Sequence, residues 1–337
     1  MSSRDARPQG AQKMERPVHS PQGAIPVLFI AGAARSGSTL LDRMIGMRDG
    51  FCSTGELRFI WERCFGENQL CGCGEPFHEC TFWKEVSDQA FGVEPSDVDV
   101  ATVARLKDAV EQKRHVPWLV LNRPPRDPAA LLSYGALLED LYSAIMDVSA
   151  AGVVVDSSKD PRHGLVLSRL PHIELHVVHL VRDPRAVAFS WGRTHRRPEI
   201  HWKAQDMTFQ KVRAAATRWT SHNLVVELLA ASAASYCRVR YEDFIADPDS
   251  ALARILAPHN GLTNTKGNVA AGQVALEPSH TVAGNPMRFK SGQIRVKLDD
   301  EWRTGMPLRD RLTVAAATWP LLARYGYSLR GRDQRPC

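Results

Sequence analysis

The stretch that most restricts the fold is residues 24–39, "AIPVLFIAGAARSGST". A short apolar run with β-branched residues ends in glycine, as a buried parallel strand does. It passes straight into a glycine-rich loop and then into "LLDRMIG", which has helical spacing. Gly32 and Gly37 are separated by four residues and followed by Ser38 and Thr39. A phosphate-binding P-loop has the form G-x-x-x-x-G-K-[ST], so Ser38 occupies the lysine position. The backbone N–H groups of such a loop, together with the N-terminus of the helix opening near Ser38, form a seat for phosphate. The glycines let the chain pass close to a ligand. The Ser38 and Thr39 hydroxyls add donors, and Arg35 brings a positive charge to the centre of the loop. Without the lysine, a grip on a γ-phosphate and Mg²⁺-centred transfer become weak readings. An ordinary glycine-rich turn between strand and helix is the alternative for this loop taken alone.

Three further runs have strand character: "GVVVDSS" (152–158), "ELHVVHLVRDP" (174–184) and "YCRVRYEDF" (236–244). Helical stretches at 129–150 and 207–234 lie between or beside them, and "LLSYGALLEDLYSAIM" spaces its apolar residues three and four apart, as one buried helix face requires. Alternation of this kind predicts an α/β fold, with a central parallel sheet flanked by helices. Ligands bind such sheets beyond the carboxyl ends of the strands, so the polar residues just after each strand are the candidates for function.

Residues 1–24 are polar and proline-containing, without the apolar core of a signal peptide, and read as a disordered leader. Residues 25–330 read as a single domain. Within it, 57–128 is expected to be a mobile, cysteine-rich insertion of helix and loop on the acceptor side. No apolar run reaches the length of a spanning helix, and a cytoplasmic location is expected. A net charge of +6 over 337 residues fits an anionic ligand, a polyanion or a membrane surface without choosing among them. The basic residues form no long stripe and no nucleic-acid module is present, so nucleic acid is not the expected partner. The sequence leaves the oligomeric state open.

A second constellation is "HLVRDPRAVAFSW". Arg182 leaves a strand end, Pro184 opens a helix, and Ser190 follows eight residues after Arg182. A guanidinium and a hydroxyl at one strand–helix corner suit a further phosphate. Alternatively, Asp183 caps the helix and Arg182 pairs with a carboxylate. Taken together, "AARSGSTLL" and "VRDPRAVAFS" resemble the two cofactor motifs of sulfotransferases that use 3′-phosphoadenosine 5′-phosphosulfate (PAPS), closest to the protein-tyrosine and carbohydrate branches. The resemblance spans about residues 26–327 and implies the P-loop-like sulfotransferase fold. It implies that Arg35, Ser36, Gly37, Ser38 and Thr39 hold the 5′-phosphosulfate, and that Arg182 and Ser190 hold the 3′-phosphate. A sulfuryl donor has no γ-phosphate to grip, which gives a reason for the missing lysine.

The resemblance extends to "STGELR", where Glu56 falls on the family's catalytic base, and to "DSSKDP", where Lys159 lies beside the transferring group. It also includes "VRYEDF", whose Tyr241 would pack on adenine. The stretch "GNPMRFKSGQIRVKLDDEW" corresponds to a loop, within 280–303, that closes over the cofactor with Arg288, Lys290 and Arg295. Sulfuryl transfer is an in-line displacement driven by positioning and charge stabilisation. Glu56 would take the acceptor hydroxyl proton, while Arg35 and Lys159 offset the developing negative charge. No metal is expected in the transfer. Against these roles, Glu56 can simply favour a helix N-terminus, and Lys159 can be a solvated turn residue. His195 and His201, in the basic and aromatic "WGRTHRRPEIHW", are runner-up bases.

Cys64, Cys71, Cys73 and Cys80 can bind zinc as a Cys₄ set, form disulfides or stay reduced. The C-x-C spacing departs from the usual structural zinc pattern. The acceptor expected is a hydroxyl on a small metabolite, glycan or lipid. A P-loop-type nucleotide kinase and a catalytically inactive nucleotide-binding protein are the alternative functions.

Overall fold

The computed structural model describes residues 23–121, 123, 126–193, 197–206, 209–259 and 272–329. Five strands, β1 (Ile25–Ala31), β2 (Phe51–Gly55), β3 (Val153–Lys159), β4 (Ile173–Val181) and β5 (Ser235–Arg240), form one sheet in the order β2-β3-β1-β4-β5. Every pairing in this sheet is parallel. A separate antiparallel pair joins β6 (Gln273–Leu276) to β7 (Gly292–Arg295). Up to the middle of the chain the helices are α1 (Ser38–Gly46), α2 (Thr81–Phe91), α3 (Val100–Glu111), α4 (Val116–Val120) and α5 (Pro128–Ser149). Then come α6 (Pro161–Leu167), α7 (Pro184–Trp191), α8 (Val212–Leu229), α9 (Tyr241–Ala246) and α10 (Pro248–Leu256), followed by α11 (Trp302–Gly305) and α12 (Leu308–Arg324).

The strand alternation of β1 divides the core in two. Val27, Phe29 and Ala31 face a layer that includes Tyr134, Leu138, Leu141 and Ile145 of α5. Leu28 and Ile30 face Leu41, Met44 and Ile45 of α1 with Leu252 and Ile255 of α10. Both faces of a parallel sheet must be covered, and the all-apolar run of β1 follows from that.

The four strand-like runs in the sequence are β1, β3, β4 and β5. The sheet also contains β2, which is only five residues of "FCSTG". Five residues ending in Ser53, Thr54 and a strand-disfavouring Gly55 make too short and mixed a run to read as a strand, so pairing with β3 supplies what the sequence pattern lacks.

Most of the expected insertion, residues 57–128, is described, and those residues are built of helix and turn. They form three short 3₁₀ turns (Leu57–Phe59, Pro95–Asp97 and Lys113–His115), a π-helical turn (Trp61–Gly66) and α2, α3 and α4. Their Trp61, Phe65, Phe77 and Trp83 are buried in the same core as α5. Trp61 and Phe65 stack with ring centroids 5.4 Å apart, and Phe77 and Trp83 at 5.2 Å. Aromatic packing of this extent makes the segment a layer of the domain. Nearly all of the expected leader, residues 1–22, lies outside the described residues.

Candidate active site

The polar residues singled out by the sequence converge at the carboxyl ends of the strands. The loop after β1 opens α1 with Gly37 as its N-cap at φ +87°. A Cβ at Gly37 would lie 2.6 Å from the Tyr241 ring, so the loop needs glycine there both for its backbone and to admit that ring. Ser36 Oγ donates to Ala33 O at 2.7 Å, closing the loop on itself. Ser38 is buried and Thr39 half-buried at the first turn of α1, where backbone N–H groups have no intrahelical acceptor.

Arg35 and Lys159 both adopt left-handed backbone conformations, at φ +73° and +66°. Such strain in non-glycine residues is held in place only when surrounding contacts enforce it. Here Gly32 N donates to Lys159 O at 3.2 Å, locking the loop after β1 to the end of β3. Lys159 is no solvated turn residue. It is buried, and its Nζ donates to Glu56 Oε1 at 2.5 Å and to Ser157 O at 2.9 Å. Glu56 follows the end of β2 and does precede a short helical turn, Leu57–Phe59. Its carboxylate nevertheless reaches across the sheet to Lys159. Its backbone is held from the other side, with Glu56 N donating to Val282 O at 2.9 Å.

A buried polar network underlies this pair. Arg58 N donates to Ser158 Oγ at 2.9 Å, and Ser158 Oγ donates to Asp156. Tyr142 OH donates to Asp156 Oδ2 at 2.6 Å, and His163 lies between Asp156 (3.5 Å) and Glu111 (2.7 Å). Arg58 Nε pairs with Glu111 at 2.9 Å. Burial alone would lower the His163 pKa, but Glu111 and Asp156 outweigh it and push the imidazole up to about 9. The network ties the turn that carries Glu56 to the strand end that carries Lys159. On α1, Asp42 accepts from Ser53 Oγ at 2.8 Å, and burial pushes its carboxyl up to about 7.

The corner after β4 joins the loop after β1 to the arginine–serine motif. Arg35 Nε donates to Ser190 Oγ at 3.1 Å, and Arg182 Nη1 donates to Arg35 O at 2.9 Å. The Arg182 guanidinium stacks on Tyr241 at 4.4 Å. Asp183 caps α7 through Arg185 N at 2.8 Å. Arg182 also pairs with a carboxylate, Asp299, at 2.9 Å. Burial and the neighbouring Arg182 lower the Arg35 pKa. Two like charges close enough for one to depress the other favour an anion nearby. The Arg182 Nε atom is buried and has no hydrogen-bond partner among the described residues.

The closing segment divides the three basic residues proposed for it. Arg288 is buried and spends its guanidinium on Thr281 O at 2.5 Å and Leu70 O at 2.6 Å. Lys290 and Arg295 are exposed. Arg43 of α1 fastens the same segment by donating to the carbonyls of Glu277 (2.6 Å), Met287 (3.1 Å) and Lys290. His201 is exposed with its ring against Trp202, and His195 lies outside the described residues. Three residues of the site region were not singled out in the sequence. Asp299 sits in "VKLDDEW", where nothing marks one acid over its neighbour, and Arg43 reads as a polar position on α1. His280, isolated in "EPSHTV", lies beside Cys71, Cys73 and Cys80, with all four donor atoms within 4.8 Å of one another. Cys64 is buried elsewhere in the core and is not a member of that group.

The glycine loop, Arg35 and Arg182, and the Glu56–Lys159 pair thus gather at the strand ends of a central parallel sheet flanked by helices, an α/β domain. Residues 26–260 match the model of the sulfotransferase family, and the chain belongs to that family. Similar solved structures include the sulfotransferase domain from the curacin biosynthetic pathway, at 18% identity and TM-score 0.45, over 91% of this chain and 99% of that one. Another is the sulfotransferase domain of the Synechococcus PCC 7002 olefin synthase, at 19% identity and TM-score 0.48, over 92% and 98% of the two chains. A third is sulfotransferase STF9 from Mycobacterium avium, at 12% identity and TM-score 0.46, over 92% and 79%. No curated protein matches the sequence.

Proposed function

We propose that this chain transfers a sulfuryl group from PAPS to a hydroxyl of a small metabolite, sugar or lipid. The observation that carries this reading is the 2.5 Å Glu56–Lys159 pair, set at the ends of adjacent strands beside the 32–39 loop. A carboxylate there can accept a hydroxyl proton, and an ammonium beside it can offset charge on a departing oxygen. PAPS supplies the sulfuryl group and an adenosine bisphosphate leaving group. The residues fit it: the unpartnered Arg182 Nε offers a donor for a 3′-phosphate oxygen, with Ser190 and Arg35 alongside. The loop 35–39 and the first turn of α1 would hold the 5′-phosphate. Tyr241 lies between loop and arginine, where its ring can support the base.

In this mechanism Lys159 first orients Glu56 through their hydrogen bond. Glu56 then removes the acceptor proton as the oxygen attacks in line, a contribution of about 10²- to 10⁴-fold. Arg35 and Lys159 hold the negative charge that builds on the transferring group and the bridging oxygen. The reaction is proposed to be cytoplasmic and metal-independent. The free state of all six described cysteines, 52, 64, 71, 73, 80 and 237, accords with a reducing compartment. Among the described residues no helix is long and apolar enough to cross a membrane.

The test is calorimetric binding of adenosine 3′,5′-bisphosphate without metal, compared with ATP plus Mg²⁺. Tight bisphosphate binding and weak ATP binding are expected, followed by sulfuryl transfer from PAPS to a screened hydroxyl acceptor. The opposite preference would establish the kinase reading, and bisphosphate binding without transfer to any acceptor would indicate an inactive binding protein. Arg182→Ala and Ser190→Ala should weaken the bisphosphate and spare adenosine 5′-phosphate. Equal losses for both ligands overturn the 3′-phosphate assignment.

A further inference from the structure

The sequence "CGCGEPFHEC" forms a tight knuckle. Cys71 N donates to Glu75 O at 2.8 Å and Gly74 N to Cys71 O at 2.9 Å, with Gly74 at φ +99°. Gly72 allows the knuckle to lie directly on residues 279–281, since a Cβ there would come within 2.4 Å of Thr281 Oγ1. Gly72 N donates to Thr281 O at 2.8 Å. This close approach brings His280 to the three thiols. Cys80 Sγ lies 3.3 Å from His280 Nδ1, Cys71 Sγ lies 3.8 Å from it, and Cys73 Sγ lies 3.8 Å from Cys80 Sγ.

These separations match the edges of a metal tetrahedron. Zn–S bonds of about 2.3 Å and Zn–N bonds of about 2.0 Å give S···S edges of about 3.8 Å and S···N edges of about 3.5 Å. A disulfide needs sulfurs about 2.05 Å apart, so the observed 3.8 Å between Cys73 and Cys80 is not a bond. We propose that Cys71, Cys73, Cys80 and His280 form a Cys₃His zinc site that clamps the knuckle to the segment flanking Glu56.

The surroundings suit that charge. Three thiolates and a neutral imidazole around Zn²⁺ carry a net charge of −1. The buried Arg288 guanidinium bridges Leu70 O and Thr281 O, the residues next to two of the ligands. Phe82 stacks on the His280 ring at 4.8 Å and 11°, and Trp83 Nε1 donates to His280 O at 2.9 Å. Ring and backbone are thereby fixed in place. Downstream, Val282 pairs with the end of β2 through Val282 N to Thr54 O (2.8 Å) and Glu56 N to Val282 O. The site is structural: all four coordination positions come from the protein, and it lies outside the transfer residues.

Zinc content of the full chain, measured by plasma mass spectrometry after extensive dialysis, should be about one per chain. Replacing zinc with Co²⁺ in the unmutated chain should give the intense visible bands of a tetrahedral thiolate site, a readout that does not depend on any variant folding or on activity. Cys73→Ser and His280→Ala should lose the metal, while Cys64→Ser should retain it. The proposal is overturned if the chain carries no zinc and gives no tetrahedral Co²⁺ spectrum. A Cys73–Cys80 disulfide in peptide mass spectrometry, or loss of metal from Cys64→Ser equal to that from Cys73→Ser, overturns it equally.

Discussion

Removing Asp299 should tighten the binding of adenosine 3′,5′-bisphosphate. In the structure Arg182 donates to the Asp299 carboxylate at 2.9 Å and to its backbone carbonyl at 2.7 Å. A 3′-phosphate on Arg182 must compete with that carboxylate, while Asp299→Ala leaves the carbonyl contact intact. At 2.9 Å the Coulomb attraction, taken at an effective dielectric of 20, is about 6 kcal/mol before desolvation. Yet the Asp299 side chain is 46% exposed, and pairs with one exposed partner contribute about 1 kcal/mol or less. Freeing Arg182 therefore improves affinity by up to about fivefold. The gain should belong to the 3′-phosphate alone, so adenosine 5′-phosphate should bind both proteins equally. The assay is titration calorimetry of the two ligands at fixed ionic strength. Weaker bisphosphate binding to the variant, or an equal change for both ligands, refutes the competition, since Asp299 would then support the ligand or merely the loop.

Two further outcomes follow from the site. Glu56→Gln keeps an oxygen for Lys159 but removes the base, so turnover with PAPS should fall by about 10²- to 10⁴-fold while bisphosphate affinity measured by calorimetry changes less than twofold or so. A comparable loss of affinity would make Glu56 a binding residue. His163, raised from 6.5 to about 9 by Glu111 and Asp156, binds a proton more tightly in the folded chain. Its contribution, on the order of 3 kcal/mol, is fully present below pH 6.5 and is lost as pH rises through about 9. Denaturant melts should show stability falling between those values in the unmutated chain and a flatter profile in His163→Gln. An unchanged slope in the variant would assign the titration to another group.

What the sequence revealed follows local rules. β1, its loop and α1 are contiguous, so apolar run, glycines and helix spacing fall in one window. The arginine–serine corner is legible for the same reason, because Arg182 and Ser190 bracket a single helix. The packing of 57–128 was hidden, since Trp61, Phe65 and Trp83 are buried by α5 more than forty residues later and no local period announces it. The zinc ligands were only partly legible. Cys71, Cys73 and Cys80 stand together, but Cys64, grouped with them by proximity in sequence, is not among the donor atoms that converge there. His280 reaches the knuckle through a contact spanning two hundred residues. Asp299 was unreadable, because pairing with Arg182 selects it from an acidic pair only in three dimensions.

The attachments of the C-terminal segment determine which part of it can respond to a ligand. Residues 277–290 are held at three points that involve no phosphate-binding group: Arg43 on the carbonyls of Glu277, Met287 and Lys290, the knuckle on Gly72 to Thr281, and Arg288 on Thr281 and Leu70. Beyond Lys290 the chain is held as β7 by its pairing with β6, and Val296 N donates to Gly272 O at 2.8 Å. The next anchor on the site is Asp299, whose partner Arg182 is the one that a 3′-phosphate would claim. The response to ligand should thus be confined to about 297–301, a shorter segment than the 280–303 expected for the closing loop, and residues 279–282 should stay fixed beside Glu56. Hydrogen exchange with and without adenosine 3′,5′-bisphosphate should show altered exchange in peptides covering 297–301 and none in those covering 277–290. Altered exchange beginning at 279 would mean that Arg43, the knuckle and the β6–β7 pair release the segment together with Asp299, and the division drawn at Val296 would be wrong.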